Sequence, residues 1–179
     1  MYKFDNSEVG SLVYPIIALG ENIVGVEVGA MAAQSSCCLL QKCSNIKTMY
    51  LIDPYQPYRD ELHDMAFGEK EMEFEKLRAY HHVKYSGYKD KAVFIEKTEE
   101  LASEEFEDNS LDFVYIDSWV TVSNIMPQLA RWYSKVKPGG IFSGHDWHHE
   151  AIQILLNEFR TGQDFNPLYN VNNTWMWHK

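Results

Sequence analysis

The chain has 179 residues, of which 45% are hydrophobic, and it carries a formal net charge of −10. This length favours one domain, residues 1–179, over two, and the hydrophobic content excludes intrinsic disorder. The acidic charge argues against a nucleic-acid partner, because binding to a phosphate backbone requires a basic face. No apolar run reaches the ~18 residues of a membrane span, and the first residues lack the basic and apolar stretches of a signal peptide.

The three cysteines, Cys37, Cys38 and Cys43, lie close together in the sequence. An odd, clustered set is typical of reduced thiols in a core or on a helix rather than of a disulfide framework. Together with the missing signal peptide and membrane span, this predicts a soluble, cytoplasmic protein without a membrane partner.

Short β-rich apolar runs alternate with longer amphipathic segments along the chain. A helix is predicted first, at 8–19. The predicted strands are 23–28, 48–52, 92–96, 111–116 and 140–144, and further helices are predicted at 35–43, about 60–85, 99–106, 121–135 and 151–159. This alternation is typical of βαβ units and predicts an α/β fold, with a parallel sheet covered by helices on both faces.

Two further segments depart from this simple alternation. The connection over 54–91 is too long for a plain loop, and Phe67, Phe74, Leu77 and His81 stand at helical spacing within it. At the end of the sequence, the runs 165–171 and 174–178 are separated by two asparagines, which tolerate the left-handed backbone of a tight turn. The second segment predicts a closing antiparallel hairpin.

The first predicted strand ends in Glu27-Val28-Gly29-Ala30, and small residues follow. A glycine there allows a sharp turn close to a ligand, and the helix behind it favours a phosphate or a carboxylate at its N-terminus. A dinucleotide fingerprint would need glycines where Met31 and Gln34 stand, and the Walker lysine is missing, so neither pyrophosphate nor triphosphate binding is favoured. An ordinary β-to-α turn is the alternative.

Two more residues follow predicted strands at the edge where α/β sheets bind ligands. Asp53 ends the second strand, where a carboxylate accepts both hydroxyl protons of a ribose. Alone it would more often cap a turn, but together with the Gly29 turn it favours ribose binding. Thr98 follows the third strand, where it either bonds an adenine edge or caps the helix that begins at Glu99.

A third group follows the fourth and fifth predicted strands. Asp117 closes an apolar strand, where a carboxylate is costly to bury unless it is paired or liganded. His145 and Asp146 emerge after a Pro-Gly-Gly turn and a short strand. If these strands are neighbours, the three side chains converge either to hold a divalent cation or to act as a base and its orienting partner. Alternatively, Asp146 caps the next helix and His145 is a satisfied polar residue, with His148 and His149 as exposed helix-start residues.

In this order, these segments resemble class I S-adenosylmethionine-dependent methyltransferases. The closest likeness is to the small-molecule O-methyltransferase-like subgroup, whose fifth strand leads into a Pro-Gly-Gly…His-Asp-aromatic signature. The likeness extends from about residue 16 to the C-terminus. The segments that carry it are Val26-Glu27-Val28-Gly29, Asp53-Pro54, Ile116-Asp117, and Lys137-Pro138-Gly139-Gly140 through Gly144-His145-Asp146-Trp147.

The resemblance implies a Rossmann-like three-layer sandwich, with a mostly parallel seven-stranded sheet and an antiparallel C-terminal hairpin. It also implies S-adenosylmethionine as the cofactor, with Glu27, Gly29 and Ala30 at its methionine part, Asp53 at the ribose and Thr98 near adenine. Asp117 would face the methionine end or a metal. In metal-using relatives three side chains bind magnesium at the positions of Asp117, His145 and Asp146, although a histidine there favours a softer ion or none.

Two departures from the family pattern concern the site. Ala33 stands where glycine is common, and both residues are small. After Asp117 the subgroup continues with an acidic residue and a histidine before an aromatic, whereas this chain has Ser118-Trp119-Val120-Thr121. The second departure keeps open a cofactor-binding module without catalysis. A nicotinamide-dependent oxidoreductase is disfavoured by the single glycine of the first turn.

The resulting hypothesis is methyl transfer to a small-molecule hydroxyl, with or without a metal. His145 or Asp146 would orient the acceptor and lower the pKa of its hydroxyl. The loop over 54–59 is predicted either as a lid or acceptor wall, or as a surface loop packed by its own tyrosines. Trp175 and Trp177 either complete the core or form the face of a homodimer.

Overall fold

The strands and helices alternate along the chain much as the sequence predicts. The computed structural model of the protein describes residues 2–4, 8–60, 64–118, 124–162 and 164–179. Its strands are β1 (Ile23–Val28), β2 (Ile46–Ile52), β3 (Tyr58–Asp60), β4 (Met65–Phe67), β5 (Ala92–Ile95), β6 (Leu111–Ile116), β7 (Val136–Gly144), β8 (Tyr169–Val171) and β9 (Thr174–His178). Its α-helices are α1 (Val13–Ala18), α2 (Gln34–Lys42), α3 (Glu69–Ser86), α4 (Glu99–Ser103), α5 (Ile125–Lys135) and α6 (Glu150–Arg160), and a 3-10 turn over Val9–Leu12 leads into α1.

Seven strands form one sheet in the order β5-β2-β1-β6-β7-β9-β8. Strands β5, β2, β1, β6 and β7 pair in parallel, whereas β9 runs antiparallel to β7 and β8 antiparallel to β9. The predicted Rossmann-like fold, with its mostly parallel seven-stranded sheet and antiparallel hairpin, is therefore confirmed. The strand order reverses at β1, since β2 and β5 lie on one side of it and β6 and β7 on the other. Sheets of this kind bind their ligands at such a switch point.

The sheet separates two apolar clusters, which gives the predicted three layers. On one face Leu39 and Leu40 of α2 pack with Met49 and Phe113 of the sheet. On the other face Trp132 of α5 packs in a cluster that includes both Trp175 and Trp177. These two tryptophans are 3% and 0% exposed, so they are part of the core, and a homodimer stays a prediction.

The helix predicted over about 60–85 begins at Glu69, and its buried face differs from the predicted one. Phe74 and Leu77 are 61% and 63% exposed, whereas Met72, Ala79 and Val83 are buried. The residues predicted at helical spacing are thus not the buried ones: Ala79 and Val83 of α3 pack in the cluster that contains Leu39 and Leu40 of α2. Phe67 belongs to β4, a strand that pairs with β3 in a small hairpin the sequence did not indicate.

Four strand boundaries also differ from prediction. β5 ends at Ile95 rather than Glu96, and β8 begins at Tyr169 rather than Phe165. β2 begins at Ile46 rather than Thr48. β7 begins at Val136, four residues before the predicted start, because Val136 pairs with Leu111 and a bulge then brings Phe113 opposite Ile141. The predicted start of α5 at Thr121, like the Trp119–Thr121 segment that departs from the family pattern, lies outside the described residues. Within the described residues, no helix combines the length and the apolar character needed to cross a bilayer.

Candidate functional site

A cavity of about 330 Å³ opens at the carboxyl ends of the central strands, where the strand order reverses. It contains four of the predicted cofactor residues, Gly29, Asp53, Thr98 and Asp117. The other lining residues come from the ends of the strands, the loop after β2, the start of α4 and the start of α5: Val28, Met31, Ile52, Pro54, Gln56, Pro57, Tyr58, Glu99, Glu100, Ser118 and Asn124. An open cavity therefore lies beside these four residues, and their contacts with a cofactor stay predictions.

The turn after β1 depends on Gly29, which has φ +91°. A Cβ atom on this residue would lie 2.3 Å from the carbonyl oxygen of Asp117, so the tips of β1 and β6 are in close contact. Ala33 takes a left-handed conformation with φ 56° at the N-cap of α2. Glycine adopts such a backbone without the strain that the Cβ atom of alanine introduces.

Asp53 joins the turn after β1 to the loop after β2. Its Oδ2 accepts a hydrogen bond of 2.9 Å from the Met31 amide, and its Oδ1 accepts one of 2.8 Å from the Tyr55 amide. Burial raises the pKa of Asp53, while these two bonds act in the opposite direction. Each carboxylate oxygen can accept a second hydrogen bond, which matches the two hydroxyl donors of a ribose.

Glu27 and Ala30 are not among the described residues that line the cavity; both are buried. Glu27 accepts a short hydrogen bond from the Ser36 hydroxyl of α2. Burial, followed by the nearby charge of Asp117, raises the pKa of Glu27 to about 8. Through its hydrogen bond with Ser36, this side chain joins β1 to α2 and supports the turn between them from outside the lining of the cavity.

The loop over 54–58, part of the segment predicted over 54–59 as a lid or acceptor wall, forms one wall of the cavity, and its contact with an acceptor stays a prediction. Pro54, Gln56, Pro57 and Tyr58 all line it. Tyr55 has φ 49° and donates its hydroxyl hydrogen to the Met31 carbonyl at 2.9 Å, which ties the loop to the turn after β1.

Thr98 stands at the N-cap position of α4 and also lines the cavity. Its backbone is extended, but within the described residues its hydroxyl makes no capping hydrogen bond. Thr98 is therefore the N-cap residue of α4, as the alternative prediction has it, but its side chain does not cap the helix. The proposed contact with adenine stays a prediction.

His145 lies at the centre of an acidic cluster beside the cavity. Its Nδ1 is 3.0 Å from Asp146 Oδ1 and 3.4 Å from Asp117 Oδ1, and its Nε2 is 3.2 Å from Glu8 Oε1. Burial lowers the pKa of His145, but the hydrogen bond with Asp146 and the charges of Asp117, Asp146 and Glu8 outweigh it and raise the pKa to about 9. The protonated imidazole is thus favoured at neutral pH.

This geometry bears on the metal site predicted at Asp117, His145 and Asp146. Both carboxylates approach the same imidazole nitrogen, so an ion held by all three would have to replace the proton on Nδ1. Magnesium, in addition, prefers oxygen ligands. The three residues do converge as predicted, but their arrangement suits a protonated imidazole between two carboxylates better than it suits magnesium.

A small second cavity of about 20 Å³ lies next to the first, and Asp117 and Ser118 line both. His145, Asp146 and Gln128 also line it. Gln128 donates a 2.7 Å hydrogen bond from Nε2 to the Ser118 hydroxyl, and its buried Oε1 has no partner among the described residues. Sequence reasoning missed both Gln128 and Glu8, because one lies mid-helix and the other more than a hundred residues from the strands it meets.

A family model described as a methyltransferase domain matches residues 26–147, which is more than half of the chain. The chain therefore belongs to this methyltransferase family, and its fold is that of the class I S-adenosylmethionine-dependent enzymes. The matched range extends from the end of β1 to the residues just after β7, so it includes the ends of all the strands that form the cavity. No curated protein matches the sequence.

Solved structures show the same fold at low identity. A candidate caffeoyl-CoA O-methyltransferase from Staphylococcus aureus has a TM-score of 0.70 at 12% identity, over 98% of this chain and 84% of that one. A methyltransferase from Geobacter sulfurreducens has a TM-score of 0.67 at 14% identity, over 98% and 80%. A precorrin 8w decarboxylase from Methanobacterium thermoautotrophicum has a TM-score of 0.64 at 15% identity, over 98% and 91%. Their names differ in reaction, so these likenesses concern the fold alone.

Proposed function

We propose that this methyltransferase moves the methyl group of S-adenosylmethionine to a hydroxyl oxygen of a small molecule, as an O-methyltransferase-like enzyme. The observation that carries this proposal is the position of Asp117, which lines the larger cavity and contacts His145 at the same time. Asp117 therefore lies between the larger cavity, which is proposed to bind the nucleoside, and the acidic cluster around His145, which can accept a proton.

In the larger cavity, Asp53 would bind the ribose hydroxyls and Thr98 would lie near the adenine. The turn at Gly29 and Ala30 would receive the methionine part, and the Asp117 carboxylate would face the cationic sulfonium. Glu27 would act indirectly, by supporting the turn after β1. This assignment is supported by the lining of the cavity and by the separate hydrogen bonds that hold each carboxylate oxygen of Asp53.

Methyl transfer requires little chemical activation by the protein, because the sulfonium is already a strong electrophile. When bound, S-adenosylmethionine would supply the methyl group: a bond from the acceptor oxygen to the methyl carbon would replace the carbon–sulfur bond, with S-adenosylhomocysteine as the leaving product. The hydroxyl proton passes to a carboxylate of the acidic cluster, for which Asp146 and Asp117 are the candidates, while the His145 imidazole holds both in place. Alignment of donor and acceptor supplies the rest of the rate.

The acceptor is proposed to be small and to enter beside the loop over 54–58. This loop contributes two prolines and Tyr58 to the cavity wall, so it offers a stiff apolar surface for a compact molecule. A net charge of −10 disfavours nucleic acid as the acceptor.

Asp146→Ala tests the proposal. We expect loss of turnover, measured as S-adenosylhomocysteine release over a panel of hydroxyl acceptors, while the dissociation constant of S-adenosylhomocysteine changes by no more than a few-fold. Asp108→Ala, which removes an exposed carboxylate paired with Lys135, serves as the matched control and should leave both unchanged. Equal loss of turnover and affinity in Asp146→Ala would show that Asp146 is structural.

A second candidate function is a cofactor-binding module without catalysis, favoured by the Ser118 that follows Asp117 where the subgroup has an acidic residue. It predicts calorimetric binding of S-adenosylmethionine to the wild-type protein with no turnover of any acceptor in the panel. Turnover of any one acceptor, lost in Asp146→Ala, would exclude it.

A further inference from the structure

Asp146, His148 and His149 form a second group of polar side chains, in the segment between β7 and α6. Each offers one ligand atom, and these atoms all lie within 4.8 Å of one another. Tetrahedral ligands about 2.1 Å from an ion are about 3.4 Å apart, so a modest rotation of the side chains would close the set around one cation. His148 is exposed, and solvent can therefore reach the group.

Neighbouring groups already orient two of the three side chains. His148 Nδ1 is 2.6 Å from Asn173 Oδ1, and the His148 amide donates to the same oxygen at 2.7 Å. Asp146 Oδ1 is 3.0 Å from His145 Nδ1. Metal-binding histidines and carboxylates characteristically have outer partners of this kind, which fix the orientation of the side chain.

The backbone of the segment is held in place as well. The His149 amide donates to the Asp146 carbonyl at 3.0 Å, and Gln153 Nε2 donates to the Trp147 carbonyl at 2.8 Å. These bonds close a turn that places the three side chains on one side. The histidine rings lie with their centroids 3.9 Å apart.

The surrounding charge is favourable to a cation. Asp146 belongs to the cluster in which one imidazole faces three carboxylates, those of Glu8, Asp117 and Asp146, so the cluster keeps an excess of negative charge. The N-terminus of α6 opposes a cation through the helix dipole, and the Glu150 carboxylate in its first turn counteracts that effect.

We propose that Asp146, His148 and His149 form a binding site for a divalent transition-metal ion such as zinc. Two imidazole nitrogens and one carboxylate oxygen are a ligand set that zinc and its neighbours accept and that magnesium disfavours. The site shares only Asp146 with the set expected from metal-using relatives. Because His148 Nδ1 contacts Asn173, the ion would bind through His148 Nε2. His148 would then connect the ion at the start of α6 to Asn173 in the β8–β9 turn.

Metal binding to the untagged protein tests this site without any methyl-transfer assay. Isothermal titration with zinc chloride should show one ion per chain. His148→Ala and His149→Ala should each weaken binding at least tenfold, whereas Asp117→Asn should stay within threefold of the wild-type value. His178→Ala is the matched control, since it removes an exposed histidine at the other end of the hairpin.

X-ray absorption of the zinc-loaded wild-type protein gives an independent result, which requires no variant to fold. Two imidazole ligands are expected. The proposal is overturned by the absence of zinc binding, by binding that survives both histidine substitutions, or by binding lost in Asp117→Asn, which would place the ion between Asp117 and His145. These outcomes concern zinc binding alone, and Asp146, the one residue common to both proposals, is not varied in this test, so a failure here leaves the proposed methyl transfer untouched.

Discussion

The carboxylate of Asp53 accepts the amide hydrogen of Met31 at 2.9 Å, and this bond joins the tip of β2 to the turn after β1. The residues are 22 positions apart in the sequence, yet they meet at the carboxyl ends of the neighbouring strands β1 and β2. A carboxylate held in this way presents its remaining lone pairs in a fixed direction. We therefore propose that Asp53 is the main determinant of nucleoside binding.

Asp53→Ala should raise the dissociation constant of S-adenosylhomocysteine at least tenfold, because two hydrogen bonds from the ribose to a charged acceptor are lost. Isothermal titration calorimetry measures this. The stability of the protein should also fall, by about 1–3 kcal/mol, since the Met31 and Tyr55 amides lose their acceptor.

Asp112→Ala separates these two effects. Asp112 Oδ2 accepts the Val24 amide at 2.7 Å near the opposite end of β1, so its loss also removes a backbone hydrogen bond. We expect lower stability in this variant and unchanged affinity for S-adenosylhomocysteine. A similar loss of affinity in both variants would mean that Asp53 acts only through stability.

Gly29→Ala should be strongly destabilising, by about 3 kcal/mol, because the new Cβ would lie 2.3 Å from the Asp117 carbonyl oxygen and φ is +91°. Gly139→Ala is the matched comparison: φ is +82°, but the Cβ would meet no atom within 4 Å, and backbone strain alone costs about 1–2 kcal/mol. Urea unfolding measures both. Equal losses would contradict the close contact between the tips of β1 and β6.

Glu27→Gln should change how stability depends on pH. Burial raises the pKa of Glu27 to about 8 in the folded protein, against 4.5 for the free side chain, so between these values the folded state keeps a proton that the unfolded state releases. Stability from this residue is therefore lost as pH rises from 4.5 to 8, by up to about 1.4 kcal/mol per pH unit. Glutamine has no such proton.

Urea unfolding at pH 5, 6.5 and 8 provides the measurement. The stability of Glu27→Gln relative to the wild-type protein should increase steadily over this range. The titration of His145 also falls partly within it, but it is common to both proteins and cancels in the difference. A difference that stays constant with pH would show that Glu27 is ionised in the folded state.

The cysteines should be unreactive in the native protein. Cys37, Cys38 and Cys43 are buried and free, and burial raises the pKa of Cys37 to about 12 and that of Cys43 to about 11. The thiolate is the reactive form, so an aromatic disulfide reagent at pH 8 should label no thiol in buffer and all three in denaturant. Rapid labelling of the native protein would contradict this burial.

Local pattern predicted the parts of the fold in which one run of residues determines its own structure. β1, β6 and β9 begin and end where predicted, because each is a short apolar run with clear turn signals on both sides. The same holds for the left-handed Asn172 and Asn173 of the closing turn. Gly29 and Asp53 were found because the carboxyl ends of parallel strands meet at one edge of a sheet.

The parts that prediction missed depend on distant contacts. The buried face of α3 is set by its packing on α2, which a count of apolar residues does not reveal. Glu8 reaches His145 only because the chain before α1 returns to the end of β7. The β3–β4 hairpin contains three-residue strands, which are too short for an alternating pattern to distinguish them from a loop.

A crystal structure of the complex with S-adenosylhomocysteine tests the central claim most directly. We expect the ribose hydroxyls within hydrogen-bond distance of both Asp53 oxygens, the adenine beside Thr98, and the sulfur over the turn at Gly29 with Asp117 nearby. A ligand bound outside this cavity, or a complex in which Asp53 makes no contact with the ribose, would contradict the account.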